Sequence, residues 1–424
     1  MKRVAILTDF TGWDSSYSLC LVAGNQVKML LRHGYEPVFV ACKGFKPDGP
    51  VAREGVELRT IPNFTRSNRV EQDARWDQDI NALSRALEDA LQEVDVVLTH
   101  DLVYQPAALK LNVAARRFAQ AHPEVFWLHW IHSATSPVFL SDSRDFLETV
   151  RKPFPNSFLV YPNSYELPRV ANNFGYREDQ VKCVHHPIDV CEYLGFHELT
   201  TRMVERYRLL DADAIVVYPV RLDRGKQVQF CVRVASQLKR INRSVRLVVV
   251  DFHSTGGDKV VYRRELRDLG TDLDLNESEL VFTSEFAPET RVSCPRQVVR
   301  DLMLLCNVYI HPSVSETYSL TTQEAGLCGA FLVLNQDFPP MRSVYGPYAS
   351  YWQFSGAIHF SGREDGEIKT EYNDITAYCY AIAQRIAYEL DNNLVLAQQR
   401  RIRQTRNLDY IFRTQLEPLL YARD

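Results

Sequence analysis

Several features that define common protein classes are missing from this 424-residue sequence. Its nine cysteines contain no Cys-x-x-Cys pair and their total is odd, which argues against a disulfide framework and a zinc site. No apolar run approaches about 18 residues, so we expect no integral membrane span. The opening MKRVAILTDF is typical of a strand and turns polar too soon for a signal peptide. These absences predict a cytoplasmic protein with buried thiols.

A strong charge of one sign is also missing. The formal net charge is −4 and the pI is near 6.3, which gives no overall attraction to nucleic acid or anionic membranes. Gly-x-Ser-x-Gly is absent, so a hydrolase nucleophile elbow has no support. Asp272 and Asp274 have Asp-x-Asp spacing but lie in a polar connector, and the pair His185 and His186 lacks a zinc pattern. We therefore predict no metal site.

Apolar, β-branched runs alternate with amphipathic helical stretches along most of the chain. Near-continuous hydrophobic strands separated by helices predict parallel sheets covered on both faces, which is an α/β fold. The helical stretches include VKMLLRHG, INALSRALEDALQEV and PAALKLNVAARRFAQA. The predicted strands are RVAILTDF, EPVFVACK, VELRTIP, VDVVLTHD, VFWLHWIHS, SFLVYPNS, KCVHHPID, AIVVYPVRL, VRLVVVDF, ELVFTSEF, NVYIHPSV and AFLVLNQ.

The alternation pauses over a polar helical passage near residues 190–211 and then restarts. A chain of this length suits two domains of roughly 200 residues. We predict two Rossmann-like, doubly wound domains at 1–195 and 212–385, followed by a helical segment at 386–424. Ligands of open α/β sheets bind at the carboxyl ends of the strands, so we expect a site in a cleft between the domains.

Two cations follow the strand AIVVYPV. Arg221 and Lys226 lie five residues apart, directly before a helix predicted to start near Gln227. Helix N-terminal amides and fixed cations act together on an anion, so this pattern favours a diphosphate site. The alternative is a solvated basic turn.

Two acids, Glu316 and Glu324, follow the strand NVYIH in a segment built otherwise of small and apolar residues. We predict a helix beginning at Ser319 or Leu320, with Glu316 in the loop before it and Glu324 about one turn inside. A carboxylate there can accept hydrogen bonds from the vicinal hydroxyls of a ribose or hexose. The alternatives are an acid favoured at a helix N-terminus for Glu316 and an exposed face residue for Glu324.

Taken together, the two motifs resemble those of retaining GT-B glycosyltransferases, most closely glycosyltransferase family 4. That family carries Arg-Leu-x-x-x-Lys, then Pro-Ser, Glu-x7-Glu-Ala and a glycine. The matching residues here are Arg221, Leu222, Lys226, Pro312, Ser313, Glu316, Glu324, Ala325 and Gly329. The resemblance implies two Rossmann-like domains facing a central cleft, with the C-terminal helix crossing back to pack on the first domain. It also implies that the first domain shapes the acceptor site and the second binds the nucleotide sugar.

The resemblance also implies roles for single residues. Arg221 and Lys226 would bind the donor diphosphate, Glu316 the donor sugar, and Glu324 the ribose. His132 would lie near the reacting sugar carbon, with His129 the second choice. The implied catalytic residues are His132, Glu316, Arg221 and Lys226. The implied donor-binding residues are Gly12, Arg221, Lys226, Glu316, Thr317, Tyr318, Ser319, Leu320 and Glu324. His100 matches the histidine that ends an earlier family strand.

The sequence departs from the family pattern at two loops. After the first strand, Gly12 stands alone beside Trp13, where the family has a glycine-rich loop; Trp13 is therefore also a candidate acceptor contact. Thr317 and Ser319 stand where many members have glycine, which predicts a narrower and more polar sugar pocket.

The predicted function is metal-independent transfer of a hexosyl or related sugar, with retention, from a nucleotide-diphosphate sugar to an acceptor hydroxyl. No cofactor is expected, and UDP- or GDP-sugars are the favoured donors. The acceptor is left open among small molecules, glycans, lipid-linked molecules and nucleic acid. Alternatives are a nucleotide-sugar epimerase of the same fold and a transferase acting on nucleic-acid bases. The basic residues Arg400, Arg401, Arg403 and Arg406 are predicted to form a solvated helix face, although they or Arg66 and Arg69 remain candidate acceptor contacts.

Overall fold

The computed structural model divides the chain into two compact units. The first is Met1–Asp189 with Arg406–Asp424, and the second is Val190–Thr405. The unit boundaries therefore lie at 189/190 and 405/406, whereas the sequence predicts 195 and 385/386. The structure describes residues 2–65, 73–133, 148–149, 151–253, 257–314, 316, 318–354 and 372–422.

The first unit contains a seven-stranded sheet in the order β3-β2-β1-β4-β5-β6-β7, with every pairing parallel. Six of the strands fall within apolar runs predicted for this half, and β7 begins one residue before the predicted run KCVHHPID. The central strands are buried on both faces. Their bounds are β1 Val4–Leu7, β2 Val38–Cys42, β3 Glu57–Ile61, β4 Val96–His100, β5 Phe126–Trp130, β6 Ser157–Tyr161 and β7 Val181–Cys183.

The helices of the first unit bury one face against this sheet. In α2, for example, Ile80, Leu83 and Leu87 recur at helical spacing and are buried. The helices are α1 Ser18–Arg32, α2 Trp76–Ala90, α3 Leu109–Ala121 and α4 Leu167–Phe174.

The second unit contains a six-stranded parallel sheet in the order β10-β9-β8-β11-β12-β13. Five strands match predicted runs. The sixth, β13, was not predicted, because it has only three residues and all are half-buried, so it carries no apolar run. The strands are β8 Ala214–Val220, β9 Val245–Asp251, β10 Leu280–Phe282, β11 Val308–His311, β12 Phe331–Asn335 and β13 Ser350–Trp352.

Helices surround the second sheet in the same way, with their apolar faces in one continuous core. In the described part of the chain, no helix combines the length and apolar character needed to cross a lipid bilayer. All nine cysteines are free thiols. The helices are α5 Val190–Tyr193, α6 Glu198–Tyr207, α7 Val228–Arg240, α8 Asp258–Asp272, α9 Arg296–Leu305, α10 Leu320–Leu327, α11 Pro339–Tyr345, α12 Ile375–Asn392 and α13 Leu394–Thr405.

Helix α13 lies with the second unit because its arginines bond there. Arg403 is 8% exposed, and its guanidinium donates to the carbonyls of Leu209 and Leu210, each at 2.9 Å. Arg400 donates to Asp391 at 2.9 Å. The prediction of a solvated basic face is therefore wrong for Arg400 and Arg403, which fix their helix to the protein.

The residues after Arg406 return to the first unit. Helices α14 Leu408–Ile411 and α15 Glu417–Leu420 are joined by a π-helical turn at Phe412–Leu416. Their apolar side chains are buried in the same cluster as Val4 and Phe39 of the first sheet. Of the predicted closing segment 386–424, residues 406–424 therefore belong to the first unit, and residues 386–405 belong to the second.

Each sheet reverses its order beside its first strand. The reversal lies between β1 and β4 in the first unit and between β8 and β11 in the second. At such a point the loops at the carboxyl ends diverge to opposite faces of the sheet and leave a crevice, which is where open α/β sheets bind ligands.

The turn after α4 gives a test of the fold. Gly175 has φ +68° and a Cβ there would overlap the carbonyl oxygen of Arg151, whereas Gly44 has φ +91° and nothing within 4 Å. We expect Gly44→Ala to lower the free energy of unfolding by about 1–2 kcal/mol, because alanine is strained in the left-handed backbone conformation. Gly175→Ala adds an unrelieved backbone clash and should cost about 3 kcal/mol or more. Urea titrations measure both, and equal losses would contradict this packing.

Candidate functional site

The loop after β8 presents the first pair of predicted site residues. All seven residues of β8 are buried, and the polar segment begins at Arg221. Residues 224–226 form a tight turn, and Gln227 has a left-handed φ of 53° that leads into α7. The hydroxyl of Tyr218 donates to the carbonyl of Lys226 at 3.1 Å, so the buried strand holds this turn in place.

The loop after β11 is held against that turn by backbone and amide hydrogen bonds. The Val314 amide donates to the Gly225 carbonyl at 3.0 Å. The buried Asn335 side chain donates to the Ser313 carbonyl at 3.1 Å. The two sequence motifs, some ninety residues apart, therefore meet at the order reversal of the second sheet.

Lys226 and Glu316 form an ion pair at this meeting point. Their side chains are 19% and 23% exposed, so the pair is partly shielded from water. Arg221 behaves differently, because its side chain is 59% exposed and its Nε lies 3.6 Å from Asp223 Oδ2. The two cations predicted to converge thus contact different carboxylates.

His311, which sequence reasoning did not select, lies directly beneath the pair. It is 2% exposed and its Nε2 is 3.6 Å from Glu316 Oε1. The rings of Tyr218 and Tyr309 pack against its imidazole. Burial, and secondarily the charge of Lys226, lowers the pKa of His311 to about 3, so it is neutral at pH 7. The available signal was its position as the last residue of β11.

Helix α10 begins where predicted. Ser319 precedes it with a left-handed φ of 61°, and its carbonyl accepts from the Tyr345 hydroxyl at 2.9 Å. Tyr318 and Leu320 beside it are 45% and 66% exposed. Thr317 lies outside the described residues.

Glu324, the predicted ribose contact, is held by Arg296. Its two carboxylate oxygens accept from the guanidinium at 2.5 and 3.2 Å, and the glutamate side chain is 26% exposed. The pair joins α10 to α9. Sequence reasoning missed Arg296 because it precedes Glu324 by 28 positions and no local pattern connects them.

In the first unit, three histidines meet beyond the ends of β4 and β5. His100 Nδ1 and His132 Nε2 are 2.9 Å apart, and His100 Nε2 lies 3.0 Å from the buried Gln26 carbonyl oxygen. The His186 ring stacks on His132 with centroids 5.3 Å apart. Burial lowers the pKa of His132 to about 4, and burial with the two other histidines lowers that of His100 well below 6.5.

Neutrality fixes the direction of these hydrogen bonds. The Gln26 carbonyl only accepts, so His100 donates from Nε2 and, being neutral, accepts at Nδ1. His132 then donates from Nε2, which leaves its Nδ1 with a lone pair. The His132 amide also donates to Asp101 at 3.0 Å. His132 can thus accept a proton or a hydrogen bond from a substrate hydroxyl.

His129, the second choice, lies in the core. It is fully buried, its Nδ1 is 2.7 Å from the Thr99 hydroxyl, and it packs against Trp127 and Phe154. Its surroundings are apolar and closed to solvent, which favours His132 over His129 as the site residue.

The loop after β1 lines a cavity of about 370 Å³ at the order reversal of the first sheet. Gly12 lies in its wall, and nothing lies within 4 Å of a Cβ built there. Trp13 does not line it. Its indole packs edge-on against Phe10 and Phe39, and this position indicates a structural role.

The Asp-x-Asp pair lies at the end of α8. Asp274 Oδ2 is 3.3 Å from Lys239 Nζ. Across the described ranges, no three His, Cys, Asp or Glu side chains are grouped so that they could hold a metal ion.

No protein-family model and no curated protein matches the chain. It is similar to solved structures, among them a glycosyltransferase from Rickettsia africae, at 12% identity and a TM-score of 0.35, covering 100% of this chain and 99% of that one. HepE of Anabaena in complex with UDP and glucose shows 14% identity and 0.36, covering 100% of both chains. Sucrose-phosphate synthase from Thermosynechococcus elongatus shows 14% and 0.37, again covering 100% of both.

At these identities and TM-scores, the similarities carry no argument about activity.

The depressed pKa of His311 has a measurable consequence. Its folded pKa, about 3, lies below the unfolded value near 6.5, so the unfolded chain binds more protons between these values. Its contribution to stability is complete above about pH 6.5 and is lost as the pH falls. In urea titrations from pH 7 to 4, the unfolding free energy of His311→Asn should depend less steeply on pH than that of wild type. The difference in slope should be up to about 1.4 kcal/mol per pH unit.

His122 provides the control, because hydrogen bonds to Glu124 and Glu88 outweigh burial and raise its pKa. Its contribution is present at low pH and is lost as the pH rises through the folded value. His122→Asn should therefore increase the slope of unfolding free energy against pH, whereas His311→Asn decreases it. Parallel profiles for wild type and His311→Asn would show that the pKa of His311 is not lowered in the folded protein.

Proposed function

We propose that the chain is a metal-independent, retaining glycosyltransferase that uses a nucleotide-diphosphate sugar. The observation that supports this most is the Lys226–Glu316 ion pair at the order reversal of the second sheet. It brings a cation suited to phosphate and a carboxylate suited to sugar hydroxyls to one place. The residues that form it belong to the two motifs that resemble family 4.

The proposed reaction breaks the bond between the anomeric carbon and the diphosphate oxygen. The acceptor oxygen bonds to that carbon on the same face, and its proton leaves on the released nucleoside diphosphate. Negative charge grows on the diphosphate, and Lys226 with Arg221 stabilises it, as fixed charges do at a developing anion. In this proposal the two cations perform the task that a metal performs elsewhere.

The ion pair itself can serve both parts of the donor. An ammonium has three donors, so Lys226 can remain with Glu316 and also donate to a phosphate oxygen. Glu316 has further lone pairs for a sugar hydroxyl. Neutral His311 beneath them contacts Glu316 without adding a second positive charge. Tyr318, Ser319 and Leu320 would surround the same end of the donor.

Glu324 is proposed as the ribose contact on the strength of its motif position. Arg296 occupies one lone pair on each oxygen, and a carboxylate has about four acceptor sites. Two vicinal hydroxyls can therefore still donate to it. His132, with its lone pair at Nδ1, would receive a hydrogen bond near the reacting carbon.

A thermal-shift screen of nucleotide sugars and free UDP, GDP and ADP tests the donor assignment directly. A ligand at 100 times its Kd raises stability by about 2.7 kcal/mol. We expect one nucleotide series to raise Tm, with the shift and the turnover both unaffected by EDTA. No shift with any nucleotide would refute the proposal, and activity abolished by EDTA would refute its metal independence.

Lys226→Ala tests the diphosphate assignment. We expect a ten-fold or larger loss of nucleoside diphosphate release with the donor found in the screen, because a charge-assisted hydrogen bond contributes about 1.5–3 kcal/mol. The change in unfolding free energy should be smaller than the change in activation free energy.

Arg224→Ala is the matched control in the same turn. Arg224 pairs with Glu265 through two hydrogen bonds of 2.8 Å and is 59% exposed. Its loss should leave turnover nearly unchanged. If Lys226→Ala keeps the wild-type rate, Lys226 does not stabilise the leaving group.

A further inference from the structure

The cavity of the first unit has a composition suited to a polyhydroxylated ligand. Its volume, about 370 Å³, lies in the range of small-molecule sites, about 300–1,000 Å³. Phe10 and Tyr17 contribute aromatic surface, on which the apolar face of a sugar ring can pack. The described polar residues of its lining are Thr8, Asp9, Thr11, Asp14, His100, Asp101 and Gln105.

The charges around this cavity have one sign. Asp9, Asp14 and Asp101 line it, and the described lining contains no lysine or arginine. His100 adds no positive charge, because burial keeps its imidazole neutral. The cavity therefore repels anions and attracts hydrogen-bond donors.

Two of the carboxylates act as acceptors within the protein and keep capacity for more. Asp101 Oδ1 accepts from the Tyr104 hydroxyl at 2.6 Å and from the His132 amide at 3.0 Å. Asp14 Oδ1 accepts from the Ser16 amide and hydroxyl at 2.8 and 2.7 Å. In both residues the second oxygen is available to a ligand, since each carboxylate has about four acceptor sites.

The two units thus differ in charge at equivalent positions of their sheets. The reversal in the second sheet offers the cations Arg221 and Lys226 together with their partners Asp223 and Glu316. The described lining at the reversal in the first sheet offers three aspartates and no lysine or arginine. A diphosphate fits the former and is repelled by the latter.

The sequence resemblance implies that the first domain shapes the acceptor site. We propose that this cavity is that site, and that the acceptor it binds is a sugar or polyol without a phosphate group. This inference rests on the proposed function. It assigns Gly12 to the acceptor side, because Asp9 and Asp14 flank it and disfavour the donor phosphates that the sequence resemblance places there.

Matched acceptor pairs test the inference on the full chain. The pairs are glucose with glucose 6-phosphate and myo-inositol with its 1-phosphate. Saturation-transfer NMR without donor measures binding, and nucleoside diphosphate release above donor hydrolysis measures transfer. We expect the unphosphorylated member to bind at least about ten-fold more tightly, because like charges brought together disfavour the phosphate.

Charge-neutral variants show whether the aspartates cause this selectivity. Asp9→Asn with Asp14→Asn should reduce the preference at least about three-fold, and Asp9→Asn alone serves if the double variant does not fold. Asp48→Asn is the control, since Asp48 caps the turn at Gly49–Ala52 and does not line the cavity.

Three results would overturn the inference: equal or tighter binding of the phosphates, no saturation transfer to any member, or an unchanged preference in the double variant. The proposed function fails separately, when no nucleotide sugar stabilises the protein. In that event, selective binding of the unphosphorylated member would still support the cavity as a polyol site.

Discussion

A backbone hydrogen bond from Val314 to Gly225 connects the two parts of the candidate site in the second unit. It joins the loop after β11 to the turn after β8 and thereby brings Glu316 to Lys226. The bond is possible because the strands pair in parallel and lie side by side at the reversal of the sheet order. Burial of β8 and β11 sets where both loops begin, and this one contact sets how they meet.

The two sheets place comparable histidines at comparable positions. His100 ends β4 and His311 ends β11, and each of these strands lies across the order reversal from the first strand of its sheet. Both imidazoles are held neutral by burial. Each contacts a side chain with an acceptor oxygen, Gln26 in the first unit and Glu316 in the second. The same fold position thus supplies an uncharged polar group at the order reversal of each sheet.

Most of the sheet architecture is predictable from the sequence, because strands that are buried on both faces have continuous apolar sequences. Strand β13 was not predicted, because its three residues are only half-buried and form no apolar run. In the candidate site, the meeting of Lys226 with Glu316 follows from motifs that are visible along the chain. The Arg296–Glu324 pair and the Gln26–His100 contact were not, because packing of separate helices and strands creates them. The unit boundaries differ for a related reason: Cys191 and Arg403 belong to the second unit through their contacts there, which composition does not show.

The chain passes from the first unit to the second near residue 189 and returns near residue 406. The second unit is therefore an insertion within the first, in topological terms. Leu408, Ile411, Phe412, Leu416 and Leu420 complete the apolar cover of the first sheet. During synthesis the first unit must wait for these residues with part of its sheet uncovered, while the second unit already has every segment it needs. The first unit is therefore the one whose synthesis begins first and whose fold is completed last. Until then, its uncovered apolar face can aggregate or bind chaperones.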